Sequence, residues 1–200
     1  MKTVFCFDLD GTVTRQEILP ALASEIALTE EMALLTSLTI KGVIPFESSF
    51  RLRCRLLREV PVSRVREIVA DIALSPAIVS FIQENRDRCA VVTGNLDVWV
   101  AGLVERLGCR YFSSVGIARG DRLQDLGQIL RKDQAVKELR AEGFRRVVAI
   151  GDGFNDIPMF EASDVRIAFG GVHPPVPEIV QLANYVVYGE NSLCRLLNGW

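Results

Sequence analysis

The sequence predicts an α/β protein built on a doubly wound parallel sheet, with an all-helical block inserted after the first strand. Three observations lead there. Short apolar runs rich in β-branched and aromatic residues alternate with helical periodicities over most of the chain. About sixty residues after the first such run show helical spacing and no strand pattern. The chain's 200 residues, 49% hydrophobic and 24% charged, suffice for one α/β domain with a sizeable core and a small appended module.

Taken in order, Val4 to Phe7 read as a buried central strand, cut off by Asp8, Asp10 and Gly11. Ile18, Leu19, Leu22 and Ile26 then mark one helical face. Thr29, with Glu30 and Glu31, reads as the cap and acidic first turn of the next helix, which Gly42 and Pro45 end. Phe46, Phe50, Leu56 and Leu57 define a third helix, and Ser63 opens a fourth carrying Val65, Ile68, Val69 and Ile72. This block spans residues 15–74, leaving 1–14 and 75–200 for the sheet domain.

Ser75-Pro76 is a helix start, since Ser caps and Pro suits the first helical position. The helix runs to about Arg86, and a strand follows from Cys89 to Val92. Thr93-Gly94-Asn95 reads as the turn into a helix from Leu96 to Leu107, closed by Gly108. Tyr111 to Gln128, with the turn signal Arg119-Gly120-Asp121, reads as a hairpin. A helix from Asp133 to Glu142, the strand Val147 to Ile150, and a helix from Asn155 to Ala162 come next. The strand Val165 to Phe169, a helix around Glu178 to Leu182 and the strand Tyr185 to Tyr188 complete the series. Strands alternating with helices require crossovers, and crossovers make a parallel sheet.

Polar residues collect at the carboxyl ends of three strands, the edge at which open α/β sheets bind ligands. Asp8 and Asp10 are two residues apart, so both carboxylates face one volume if strand geometry persists. One could attack or hold a metal while the other handles protons. Alternatively, Asp10-Gly11 is only a solvated turn. Asp8 and Asp152 are hard oxygen donors suited to Mg²⁺. Thr93 offers a hydroxyl, and the amides after it, at a helix start, could cradle a phosphate. Lys132 would add a positive charge, with Arg131 and Lys137 as competitors in the same stretch. A carboxylate nucleophile, a cation and several donors together suit phosphoryl transfer. Gly151-Asp152-Gly153 is no dinucleotide fingerprint, because Asp156 stands where the third glycine belongs.

The net charge of −2 favours neither nucleic acid nor anionic membrane as a partner. Five scattered cysteines without a CxxC pair argue against a disulfide framework or a zinc site. One histidine, His173, rules out a His-based metal cluster. No apolar run reaches membrane-spanning length, and the N-terminal run, broken by Asp8, is unlike a signal peptide, so cytoplasmic residence is expected.

DLDGTVT, VVTGN, Lys132 and GDGFNDIPMF resemble, in order, the four motifs of the haloacid dehalogenase superfamily of phosphatases, across nearly the whole chain. The resemblance implies a Rossmann-like core, Mg²⁺ dependence and an aspartyl-phosphate intermediate. It implies Asp8 as nucleophile and Asp10 as general acid/base, with Thr93, Gly94, Lys132 and Asn155 lining the phosphate site. The metal set becomes Asp8, Asp10, Asp152 and Asp156. The block at residues 15–74 stands where this superfamily places a cap, and it is similar to the cap of the phosphoserine phosphatases. Glu17, Phe46 and Arg53 match the positions that recognise the amino-acid part of the substrate there. A carboxylate suits an ammonium, and a guanidinium suits a carboxylate. This chain has Thr93-Gly94-Asn95 where that group commonly has Ser-Gly-Gly, which adds bulk and hydrogen-bonding capacity beside the phosphate. The reaction expected is hydrolysis of a small phosphate ester, foremost phosphoserine, in amino-acid biosynthesis. Another small ester, transfer to an alcohol such as homoserine, or a regulatory module without turnover are the alternatives. No obligate protein partner is expected.

Overall fold

The computed structural model describes residues 2–200. Among these are the strands β1 (Thr3–Phe7), β2 (Cys89–Leu96), β3 (Arg110–Arg119), β4 (Arg122–Gln128), β5 (Arg146–Gly151), β6 (Val165–Phe169) and β7 (Tyr185–Val187). They form one sheet in the order β4-β3-β2-β1-β5-β6-β7. Every pairing is parallel except the β3–β4 hairpin. β1 lies at the centre and is fully covered, which explains its unbroken apolar run.

Alternation along β1 sends Phe5 and Phe7 to one face and Val4 and Cys6 to the other, and each pair seeds a separate core. Helices α5 (Pro76–Glu84), α6 (Asp97–Leu107) and α10 (Glu190–Leu197) cover the first face through Phe81, Trp99 and Leu193. Helices α7 (Lys132–Ala141), α8 (Ile157–Ala162) and α9 (Pro177–Leu182) cover the second through Val136, Phe160 and Ile179.

Between β1 and α5 stand four helices: α1 (Ile18–Ala23), α2 (Thr29–Ile40), α3 (Phe46–Leu57) and α4 (Val62–Asp71). Their apolar faces, through Leu22, Met32, Phe50 and Val65, join the same cluster as Phe5 and Phe7. The segments leading into and out of this block run side by side. Thr14 bridges Leu74, Arg15 N–H donates to Ala73 O at 2.8 Å, and Ser75 N–H donates to Val13 O at 2.9 Å.

Several local expectations change. β1 ends at Phe7, and residues Leu9–Val13 form one wide turn with Gly11 at φ 68°, so the two aspartates are presented by a turn and not by strand alternation. Ser75 stands at the expected cap position of α5, with Pro76 first in the helix, but caps through its carbonyl, which accepts the Val79 N–H at 2.9 Å, and not through its hydroxyl. Thr29 is the first residue of α2 and not its cap. Leu28, packed against the core, takes that place and accepts the Met32 N–H at 2.9 Å. β2 runs on to Leu96, taking four steps from Val92 while β3 takes two, from Phe112 to Ser114. Thr93-Gly94-Asn95 is therefore an arch within the strand, and α6 begins only at Asp97. The anticipated helix-start cradle is replaced by this arch.

Candidate active site

The carboxyl ends of β1, β2 and β5 converge, and the inserted helices close over them. Asp8 follows β1 and is held by its own N–H to Ile150 O at 2.9 Å. Asp152 follows β5, and four residues on Asp156 accepts the Asp152 and Gly153 N–H groups through Oδ2, each at 3.1 Å. Gly151 is required here, since a Cβ would lie 2.5 Å from Asp156 Oδ2. Lys132, the first residue of α7 and 3% exposed, reaches Asp8 Oδ1 and, at 2.6 Å, Asp156 Oδ1. Arg131 and Lys137 are exposed and pair with Asp133 instead, so Lys132 is the lysine brought to the site.

Asp8, Asp152 and Asp156 each offer an oxygen, all within 4.8 Å of one another. One ammonium against three buried carboxylates leaves an excess of two negative charges. Accordingly Asp8 is pushed well above the usual carboxylate range, first by burial and then by Asp156, with Lys132 opposing. Asp152 is pushed up likewise by burial, Asp156 and Asp8. Burial alone would lower Lys132, but Asp156 and Asp8 outweigh it and hold the ammonium charged. Asp152 Oδ2 is buried without a hydrogen-bond partner. A hard oxygen set, an orphaned carboxylate oxygen and surplus negative charge fit Mg²⁺. Asp10 stands outside this trio among the described residues. Its carboxylate is engaged elsewhere: Oδ1 accepts the Ile18 N–H at 2.9 Å, and Oδ2 accepts Asn95 Nδ2. Burial, with Glu17 adding, pushes Asp10 up to about 7.

A cavity with about 50 Å³ of interior space lies above the aspartates, room for a few water-sized groups. From the sheet edge it is lined by Asp8, Asp10, Gly94, Asn95, Asp152 and Asn155, and from the helical block by Glu17, Phe46, Phe50, Arg53 and Thr36 among others. Phe46 stacks on Phe50, centroids 5.3 Å apart and 13° between planes. Its ring packs so closely on Gly94 that any Cβ there would collide with it. Arg53 is 4% exposed and donates to Thr36 Oγ1 at 3.0 Å and Ser49 O at 3.4 Å. It has no carboxylate within ion-pair distance among the described residues.

Thr93, Lys132 and Asp156 do not line the cavity. Lys132 and Asp156 back it through Asp8 and Asp152, and Thr93 Oγ1 accepts from Asn95 N at 3.1 Å and Nδ2 at 3.2 Å. Sequence reasoning missed Thr36, Phe50 and His173. His173 Nε2 lies 3.2 Å from Glu17 Oε1, and that contact, over the cost of burial, raises the imidazole pKa. Its place in the loop after β6, on the same sheet edge, was the available signal.

The chain belongs to the haloacid dehalogenase-like hydrolases, whose family model matches residues 5–161. Within that class it is similar to the phosphoserine phosphatase of Methanocaldococcus jannaschii, 31% identical over 84% of this chain and 85% of the relative. It is similar also to that of Halobacterium salinarum, 28% identical over 98% and 97% of the two chains. Among solved structures, a phospho-aspartyl intermediate analogue of a phosphoserine phosphatase superposes with a TM-score of 0.85 at 26% identity, covering 98% of each chain. A substrate-bound phosphoserine phosphatase gives 0.86 at 25% identity, again over 98% of each.

Proposed function

We propose that this chain is a Mg²⁺-dependent phosphoserine phosphatase working through a phosphorylated Asp8, with residues 15–74 as a cap over a core of 1–14 and 75–200. The observation that carries the substrate reading is Arg53, a buried guanidinium without a carboxylate partner among the described residues, facing one cavity with Glu17. An amino acid supplies a carboxylate for Arg53, and its ammonium would join His173 as a partner of Glu17. The names of the relatives support the same substrate.

Lys132 occupies Asp8 Oδ1 and leaves Oδ2 for attack on phosphorus. As the new Asp8–phosphorus bond forms, the ester oxygen departs and takes the Asp10 proton. Asp10, now a carboxylate, accepts a proton from water as its oxygen attacks the acyl phosphate, releasing phosphate and restoring Asp8. Mg²⁺ held by Asp8, Asp152 and Asp156 would supply electrostatic stabilisation of the phosphoryl oxygens. Phe46 and Phe50 line the cavity from the helical block, where closing on a bound ester would exclude bulk water. The small cavity suits a metabolite and not a folded nucleic acid. No helix among the described residues is long and apolar enough to cross a membrane. We place the protein in the cytoplasm, in amino-acid biosynthesis.

The test is Mg²⁺-dependent phosphate release from a panel of phosphorylated metabolites including L-phosphoserine. The expectation is that phosphoserine gives the highest kcat/KM, that Asp8→Asn is inactive, and that Arg53→Ala loses phosphoserine at least about tenfold more than an aryl phosphate, as befits a lost charged contact. An equal loss on every ester would remove the substrate assignment.

A further inference from the structure

We propose that Asn95 is a positioning residue for Asp10, fixing the carboxyl that protonates the leaving group; this rests on the reaction proposed above. Asn95 is 4% exposed, lies on the arch in β2 and lines the catalytic cavity. Its side-chain amide donates to Asp10 Oδ2 and, at 3.2 Å, to Thr93 Oγ1. Its backbone N–H also donates to Thr93 Oγ1, at 3.1 Å. The orientation of the amide is set by chemistry. Against the ionised Asp10 carboxylate the nitrogen must face Oδ2, since an amide oxygen there would meet a carboxylate oxygen with no proton between them.

Asp10 thus has one donor on each oxygen. The Oδ1 donor is the Ile18 peptide N–H, which any residue at position 18 except proline would supply. The Oδ2 donor is a side chain. The plane of the carboxyl, and with it the direction left for its proton, therefore depends on what stands at position 95. Thr93 in turn anchors the amide through two bonds, so the arch, the amide and Asp10 form one rigid chain of contacts. Asn95 acts through Asp10, and its effect belongs to the step in which the ester oxygen–phosphorus bond breaks and the Asp10 proton moves to that oxygen.

This makes the effect depend on the leaving group. A serine alkoxide must be protonated as it departs, whereas 4-nitrophenolate departs unprotonated. The experiment compares kcat/KM, which reports steps through formation of phospho-Asp8, for L-phosphoserine and 4-nitrophenyl phosphate in wild type, Asn95→Ala and Asn95→Asp. Asn95→Asp keeps the shape and replaces the donor by an acceptor. Expected in both variants is a fall on phosphoserine about 10- to 100-fold larger than any fall on the aryl ester, part of the 10²–10⁴ typical of general acid catalysis. Retained aryl turnover also reports that the variants are folded. Equal losses on both esters, or no loss on either, would overturn the assignment. A wild-type protein inert toward both would overturn the reaction itself, and this role with it.

Discussion

Asp8, Asp10 and Asp152 are held in the folded protein at raised pKa values, Asp10 at about 7, chiefly because burial disfavours their charged forms. A carboxyl raised in this way binds more protons folded than unfolded, so its contribution to stability is greatest at low pH. That contribution is lost as pH climbs from the ordinary carboxylate range toward the raised value. His173, also raised, acts in the same direction above about 6.5. Without divalent metal, the melting temperature is expected to fall between pH 5 and 7.5. Adding Mg²⁺ at about a hundred times its Kd should return about 2.7 kcal/mol, or about 5–10 °C for a chain of this size. A metal-free melting temperature that rises over the interval, or one indifferent to Mg²⁺, would contradict the charge excess described for the trio. Asp8, Thr93 and, one glycine on, Asp152 were legible in the sequence because they follow apolar runs, whereas Lys132, Asp10 and Asp156 stood out by their place in the order of motifs. Asp10's separation from the trio was not legible, since it depends on a backbone N–H from α1 and an amide from β2, neither of which has a sequence pattern.

At the scale of elements, two reciprocal contacts lock the inserted helices to the sheet edge. Phe46 of α3 packs on Gly94 of the β2 arch, and Phe154, after β5, packs on Gly42 at the end of α2. Gly42 has φ 70°, and a Cβ there would lie 2.5–2.9 Å from the Phe154 ring. Gly42→Ala should therefore cost about 1–3 kcal/mol, from left-handed strain and overpacking together, read from the urea midpoint. It should also speed hydrogen exchange in α2 and α3. A variant as stable as wild type would mean that this contact bears no load. Helix and strand identities were readable from periodicity, and so was the start of α5 at Ser75-Pro76, but the cap of α2 was not. Leu28 takes the cap position of α2 through packing, which overrides local capping preference. The arch in β2 escaped for a similar reason, because Ser114 across the sheet decides where Leu96 pairs.

For the whole molecule, the alternation of strands and helices made the doubly wound sheet readable, while strand order came only from the fold. That order puts partners far apart in sequence: β1 pairs with β2 at Phe5–Cys89 and with β5 at Val4–Val147. Loops this long must close before their contacts reward them, so refolding by stopped flow should fall in the millisecond-to-second range; completion in microseconds would refute this. The same arrangement governs events on the ribosome. The strand that leads into Asp8 is translated before its partners, and one of its edges has none until Arg146 to Ile150 have been made. A nascent chain therefore carries Val4-Phe5-Cys6-Phe7 as an open, apolar strand edge through most of its synthesis. Translation that stalls before β5 leaves a fragment with this open edge as a template for aggregation and no assembled carboxylate trio.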